Sequence, residues 1–282
     1  VIERTDNVNW STLKHIRTSP KHYRHALTHP RPDTPALLLG RLTHCMVYEA
    51  DQVDSRYLIA PRFHGGMKDD NARAAGYDGG KEAKREWEQR AVLSGADIVS
   101  GDLYSLASAM RDALLADPIA GPMVRGGYSE QRITWTDART GIECRGRVDH
   151  VNGIVSDLKT TRSIAPRLFG SDAARYSYHA QLAWYADGLA SCGIVTGGPP
   201  AIVAVENEPP HDVAVYGIDD DTLAAGRAEY RKALDLLAWC RAHDEWPGVA
   251  GGSALELRLP AWAAPEPQAE EITLGGERLF PH

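Results

Sequence analysis

The most constraining stretch of this chain is a pair of β-prone runs separated by a single Asn-Gly. Gly146-Arg147-Val148-Asp149-His150-Val151 precedes Asn152-Gly153, and Ile154-Val155-Ser156-Asp157-Leu158-Lys159-Thr160-Thr161 follows it. Asn-Gly between apolar, β-branched runs is a strong hairpin signal. Asp157 and Lys159 are two residues apart on the second strand, so they share one face. Asp149 lies on the first strand. Two carboxylates that converge without a cation repel each other, and one tends to protonate. A divalent metal resolves that conflict, and oxygen ligands favour Mg²⁺ or Mn²⁺. The Lys159 ammonium beside it can hold a water or hydroxide, or steady charge in a phosphorane-like transition state.

Register decides whether the two carboxylates can meet. A regular two-residue Asn152-Gly153 turn sets Val151 opposite Ile154 and Asp149 opposite Ser156, which turns Asp149 and Asp157 to opposite faces. A three-residue loop, or a bulge near either carboxylate, restores a shared face. Such an irregularity is therefore expected. Without it the segment is a surface hairpin, because Asp-x-Lys alone is common.

The rest of the chain suits a globular α/β fold. Its 282 residues are 43% hydrophobic and 24% charged, which excludes a disordered tail, a collagen-like fibre and a disulfide-stapled miniature scaffold. No apolar run reaches the roughly 18–20 residues of a membrane helix. Residues 1–6 lack a basic flank and apolar core, so no signal peptide is expected. Cys45, Cys144, Cys192 and Cys240 form no CxxC pair, which argues against zinc-ribbon and iron–sulfur sites and suits reduced thiols in a cytoplasmic protein. The net charge of −7 is uneven. Residues 201–282 hold 15 acidic and 6 basic side chains, leaving +2 on residues 1–200. The first 32 residues carry six Lys/Arg, two Asp/Glu and four His. This distribution suits one cationic face, or simply a solvated helix.

Caps and periodicity place helices over 9–29 with a break at Ser19-Pro20, and from Thr34-Pro35 through Tyr48. Further helices are expected over 81–93, 101–116, 166–192 and 219–244. Strands are expected over 128–136, 142–151, 154–160, 201–206 and 213–218. Residues 63–80 read as a mobile loop. The order implies a mixed central β-sheet flanked by helices. Residues 1–246 make one domain, mainly helical over 1–127 and holding the sheet core over 128–246, and 247–282 is an irregular tail.

Three further groups accompany the hairpin: Gly40-Arg41-Leu42-Thr43-His44 on an apolar helix, Glu130 on the first strand, and Tyr178-His179-Ala180-Gln181-Leu182-Ala183-Trp184-Tyr185 on the helix after the hairpin. Taken singly, His44 suits a core histidine, Glu130 a solvated strand residue, and Gln181 and Tyr185 a packed helix face in which Gln181 needs a polar partner. In order, GxxxH, RxD, DxK and QxxxY resemble the PD-(D/E)XK nucleases of the RecB/RecE and λ-exonuclease group, most closely the RecE-type (exonuclease VIII) phage recombination exonucleases. The opening Trp10-Ser11-Thr12-Leu13-Lys14, with Ser19-Pro20-Lys21-His22-Tyr23, is similar to that family's N-terminal motif. Trp246-Pro247-Gly248 and Leu259-Pro260-Ala261-Trp262 look like its C-terminal signature. Val148 stands where the family pattern has proline.

The resemblance implies a restriction-endonuclease-like core with two Mg²⁺ or Mn²⁺ ions per active site. It implies that His44, Asp149, Asp157 and the Leu158 carbonyl are metal ligands and that Lys159 activates the attacking water. Gln181 would position the scissile phosphate with support from Tyr185. Arg145, Arg147 and Thr160 would touch phosphates, and Glu130 would line the site. The implied activity is 5′→3′ exonucleolytic digestion of linear double-stranded DNA in phage-type recombination. A homo-oligomeric ring with a basic lumen and a single-strand annealing partner go with it. An endonuclease or single-strand repair nuclease on the same core, or a catalytically retired DNA-binding protein, are the alternatives.

Overall fold

The computed structural model describes residues 7–29, 32–63, 78–260 and 263, with 273–274 and 277–278. Most of the loop expected over 63–80 lies outside the described residues, as does most of the chain after 260. The helices are α1 (Trp10–Leu13), α2 (Pro20–Thr28), α3 (Pro35–Tyr48), α4 (Val53–Arg56), α5 (Lys81–Ser94), α6 (Gly101–Ala116), α7 (Ala120–Val124), α8 (Pro166–Tyr176), α9 (Tyr178–Ser191) and α10 (Asp220–His243). Caps start them where the sequence supplies an acceptor. Ser19 receives His22 N, Thr34 receives Leu37 N and Asp219 receives Thr222 N, and proline opens both α2 and α3.

The strands are β1 (Tyr57–Ala60), β2 (Asp97–Ser100), β3 (Tyr128–Thr136), β4 (Glu143–Asn152), β5 (Ile154–Thr161), β6 (Ala201–Glu206) and β7 (Val213–Gly217). Strands β3 to β7 form one five-stranded sheet in sequence order, antiparallel except for the parallel β5–β6 pair. This is the mixed α/β architecture expected. Strand β6 shows why the sheet is covered on both sides. Its Ile202 and Ala204 join a core with Trp184 of α9 and Leu237 of α10, while Val203 and Val205 join one with Leu42 of α3 and Met110 of α6.

Three features depart from the expected layout. The helix expected over 166–192 is two helices, broken at the fully buried Ser177 with φ +60°. Strands β1 and β2 form a separate parallel ribbon. The tail holds one short antiparallel pairing, Thr273–Leu274 with Glu277–Arg278. Among the described residues no helix is long and apolar enough to cross a membrane.

Candidate active site

The hairpin register is the one that lets the carboxylates meet. Asn152 pairs with Ile154, Val151 with Val155 and His150 with Ser156. Gly153 makes this tight reversal possible with φ +72°. Continued by one step, the register sets Asp149 opposite Asp157. The ladder stops there, however, and the strands part. Leu158 N–H, instead of bonding to β4 backbone, donates to Asp149 Oδ2 at 3.1 Å, and Leu158 O faces His44 Nε2 at 3.0 Å.

The expected irregularity also runs through β3 and β4. Val148 packs in the core beneath α9 and α10, yet His150, two residues later, stacks on Tyr48 of α3. The chain therefore switches face at Asp149. Across from it, Ser129↔His150 and Gln131↔Val148 are paired, but Glu130 is not and holds a left-handed φ of +55°. A non-glycine residue held there marks a conformation the surrounding structure imposes. Glu130, Asp149 and Asp157 thus form a row across three neighbouring strands.

Helix α3 brings His44 to this row. His44 Nε2 is 3.3 Å from Asp149 Oδ2, and Nδ1 is 3.8 Å from Glu130 Oε1. Burial opposes charge on the imidazole, but the Asp149 and Glu130 carboxylates and the Leu158 carbonyl outweigh it and carry its pKa up to about 9. Burial, then the charge of Asp157, pushes Asp149 up to about 7 against the pull of His44 and Lys159.

On β5, Lys159 Nζ lies 2.5 Å from Asp157 Oδ2 and donates to Gln181 Oε1 at 3.3 Å. Burial works against the ammonium, but Asp157 and Asp149 hold its pKa above the usual lysine value. Helix α9 supplies Gln181, whose amide nitrogen donates to Asp157 Oδ1 at 2.9 Å and to the Tyr185 hydroxyl at 3.0 Å. Tyr185 accepts that bond, so its own proton is free to point elsewhere. Burial, then the charges of Asp149 and Asp157, holds its pKa well above the usual phenol value.

The parted strands open a cleft of about 390 Å³ lined by Lys14, Arg132, Arg145, Arg147, Gln181 and Tyr185, with Asn9, Trp10, Ser11 and Gly146. The N-terminal segment takes the place beside β4 that β5 has left. Val8 N–H donates to Glu143 O at 2.8 Å, and Arg145 N–H to Val8 O at 2.7 Å. This seats α1, and the Lys14 that follows it, against the cleft. Arg132 and Arg147 are direct cross-strand partners. Like charges facing each other destabilise a sheet, and here the Glu130 and Glu49 carboxylates beside Arg147 offset that opposition while Arg132 lines the cleft.

The structure therefore gathers His44, Glu130, Asp149, Asp157, Leu158, Lys159, Gln181 and Tyr185 in one network, with Arg145 and Arg147 along the adjoining cleft. Thr160 lies on the other face of β5 from Lys159, with Oγ1 against Gly40 of α3. Arg147 is itself engaged, contacting Glu130 and lying 3.1 Å from Glu49 Oε2. Glu49 is held in turn by Arg56 at 2.7 Å. Arg132, Glu49 and Arg56 carry no signal in the sequence, and Lys14 enters there only as part of the N-terminal motif. The Arg132–Arg147 opposition becomes readable only once the register is known.

The site also passes a chemical test for a divalent cation. Ligand atoms of His44, Glu130 and Asp149 all lie within 4.8 Å of one another, and Leu158 O adds a neutral oxygen. Asp157 Oδ2 is shut off from solvent and has the Lys159 ammonium as its one contact among the described residues, so it keeps lone pairs to offer. A buried carboxylate whose pKa sits near 7 is one that lacks positive charge. One imidazole and several oxygens form a hard donor set that suits Mg²⁺ or Mn²⁺.

Comparison with known families agrees with this geometry. Residues 9–257 match the family described as "PDDEXK-like domain of unknown function (DUF3799)". The chain belongs to this PDDEXK-like family. Its fold is also similar to the crystal structure of a "Putative exonuclease" from Eubacterium rectale, with a TM-score of 0.58 at 12% identity, over 90% of this chain and 91% of that one. No curated protein matches the sequence. The PDDEXK-like family match spans α1 through the end of α10, so every residue of the network lies inside it.

Proposed function

We propose that this PDDEXK-like chain is a divalent-metal-dependent nuclease that hydrolyses phosphodiester bonds in DNA. The observation that carries this reading is the junction of two sites. His44 Nε2 lies 3.0 Å from Leu158 O and 3.3 Å from Asp149 Oδ2, on the strand pair that also carries Lys159, and the network opens on a cleft with four cationic side chains. His44, Asp149, Asp157 and the Leu158 carbonyl would hold the metal, and Glu130 with the surplus carboxylate oxygens supports two ions per site. Bound there, Mg²⁺ or Mn²⁺ would supply Lewis-acid stabilisation of charge on the phosphoryl and leaving oxygens.

The chain's own residues do the rest. Lys159, steadied by Gln181, orients the attacking water toward phosphorus. Gln181 spends both amide hydrogens on Asp157 and Tyr185 and so fixes the carboxylate and the phenol together. Tyr185 donates its free proton to a phosphate oxygen, and its raised pKa keeps that proton in place. Arg145, Arg132 and Lys14 hold the flanking backbone phosphates.

Within this class we assign an exodeoxyribonuclease acting 5′→3′ on linear duplex, in phage-type recombination. A homo-oligomeric ring, a single-strand annealing partner and a cytoplasmic location belong to the same reading. Its support is the ordered motif resemblance, the basic first part of the chain against an acidic last third, and the name borne by the structural neighbour. The test is digestion of linear duplex labelled at the 5′ or the 3′ end, beside a covalently closed circle, with Mg²⁺. Stepwise mononucleotide release from 5′ ends with an intact circle is expected. Nicking of the circle would reassign the chain as an endonuclease, and no hydrolysis with any divalent ion would sink the nuclease reading.

A further inference from the structure

Among the described residues the Lys159 ammonium has three close contacts: Asp157 Oδ2 at 2.5 Å, Gln181 Oε1 at 3.3 Å and the face of the Tyr178 ring, with Nζ 4.8 Å from its centroid. One of these is contested. Asp157 is also a candidate metal ligand, whereas Gln181 is tied to Asp157 and Tyr185 through its amide nitrogen and keeps Oε1 for Lys159. A divalent ion at Asp157 would repel the ammonium and compete for the same oxygen. Lys159 is largely desolvated, with its side chain 17% exposed, and Gln181 Oε1 alone would leave its charge poorly compensated, so a second seat is needed.

The ring is built to be that partner. Tyr178 opens α9 directly after Ser177, whose left-handed backbone sets the direction of the helix. Arg17 bonds the Ser177 side chain. The ring is braced by Phe169, 6.2 Å away, and by Tyr176, 5.8 Å away. Phe169 in turn stacks on Tyr216 at 4.8 Å. A braced aromatic face attracts a cation most strongly when water is excluded.

We propose that the face of Tyr178 is the seat that holds the Lys159 ammonium when a divalent cation takes Asp157, which makes Tyr178 a positioning residue for hydrolysis. The proposal rests on the nuclease reading above. A desolvated cation–π contact corresponds to about a tenfold effect or somewhat more. Tyr178→Leu removes the ring face, and Tyr178→Phe keeps it.

The test uses the full chain and two readouts. On linear duplex with Mg²⁺, Tyr178→Leu should lower kcat about tenfold with KM little changed, and Tyr178→Phe should recover most of that loss. Independently, in protein labelled with ¹³C-lysine, the Lys159 ε-CH₂ resonance should be displaced upfield by the ring current, and further upfield once Mg²⁺ is added. Lys159→Arg identifies the signal. The displacement should survive in Tyr178→Phe and vanish in Tyr178→Leu. Full activity in Tyr178→Leu, equal losses in both variants, or a resonance that Mg²⁺ leaves still or moves downfield would each overturn the seat. The resonance needs no turnover, so an inactive wild type with the Mg²⁺-dependent upfield shift refutes the nuclease reading while supporting the seat.

Discussion

In the metal-free protein a proton occupies the space between His44 Nε2, Leu158 O and Asp149 Oδ2. A carbonyl oxygen 3.0 Å away can only accept, so Nε2 carries hydrogen, and the surrounding oxygens hold the imidazole pKa up to about 9. A metal that takes His44 must displace that proton. At pH 7, about two units lower, roughly one imidazole in a hundred is free, so apparent metal affinity should be about 100-fold weaker than well above pH 9, or about 3 kcal/mol. Affinity should rise about tenfold per pH unit between 7 and 9. Below pH 7 the slope should steepen, because Asp149, held up to about 7, takes a second proton. Titration calorimetry with Ca²⁺ from pH 6 to 9, in two buffers of different ionisation enthalpy, reads both the affinity and the protons released. His44→Asn should bind more weakly and release no imidazole proton, keeping only the pH dependence of Asp149, moved to higher pH because the His44 charge no longer pulls its pKa down. Wild-type affinity that is constant over that range, with no proton release, would refute the reasoning. The same shifts set a stability trend. Both groups bind protons more tightly folded than unfolded, so the metal-free fold should lose stability as pH rises. Asp149 contributes from its ordinary 3.8 to about 7, and His44 from 6.5 to about 9.

Other outcomes follow from the contacts described above. Asp157→Asn should cut initial hydrolysis rates by about 10³-fold or more while leaving DNA affinity in Ca²⁺, read by fluorescence anisotropy, close to wild type. Arg132→Ala should weaken DNA binding and lower the log–log salt slope by about 0.9. Its melting temperature should change little, because Glu130 and Glu49 already balance the Arg147 charge across from it. Gly226→Ala should destabilise the fold by about 1–3 kcal/mol. A Cβ there would stand 2.4 Å from the His179 carbonyl, and calorimetry should show a midpoint several degrees lower.

Much of this arrangement could be read along the chain because its signals are local. Thr34-Pro35 starts α3 by capping, Asn152-Gly153 reverses the chain, and AIVAV at 201–205 is buried on both faces as a central strand must be. The required irregularity near Asp149 follows from alternation alone, since a regular two-residue turn sends these carboxylates of adjacent strands to opposite faces, and they can share a metal only if register or pleat departs from it. What stayed hidden depends on contacts far apart in sequence. Ser177 carries no glycine or proline signal, and its left-handed turn is held by Arg17, 160 positions away. The β1–β2 ribbon joins two four-residue strands across a long connection, each too short to show a period. Lys14 and Arg132 are ordinary surface cations until the insertion of Val8 beside β4 makes them, with Arg145, walls of one cleft. Glu49 shows no role until Arg56 and Arg147 are seen to share it.

An anomalous difference map from a crystal soaked in Mn²⁺ tests the metal site most directly. A peak within about 2.0–2.4 Å of His44 Nε2, Asp149 Oδ2 and Leu158 O, absent in His44→Asn, is the expected result. A map with no density between those three atoms, or with manganese only at carboxylates elsewhere on the surface, would contradict it.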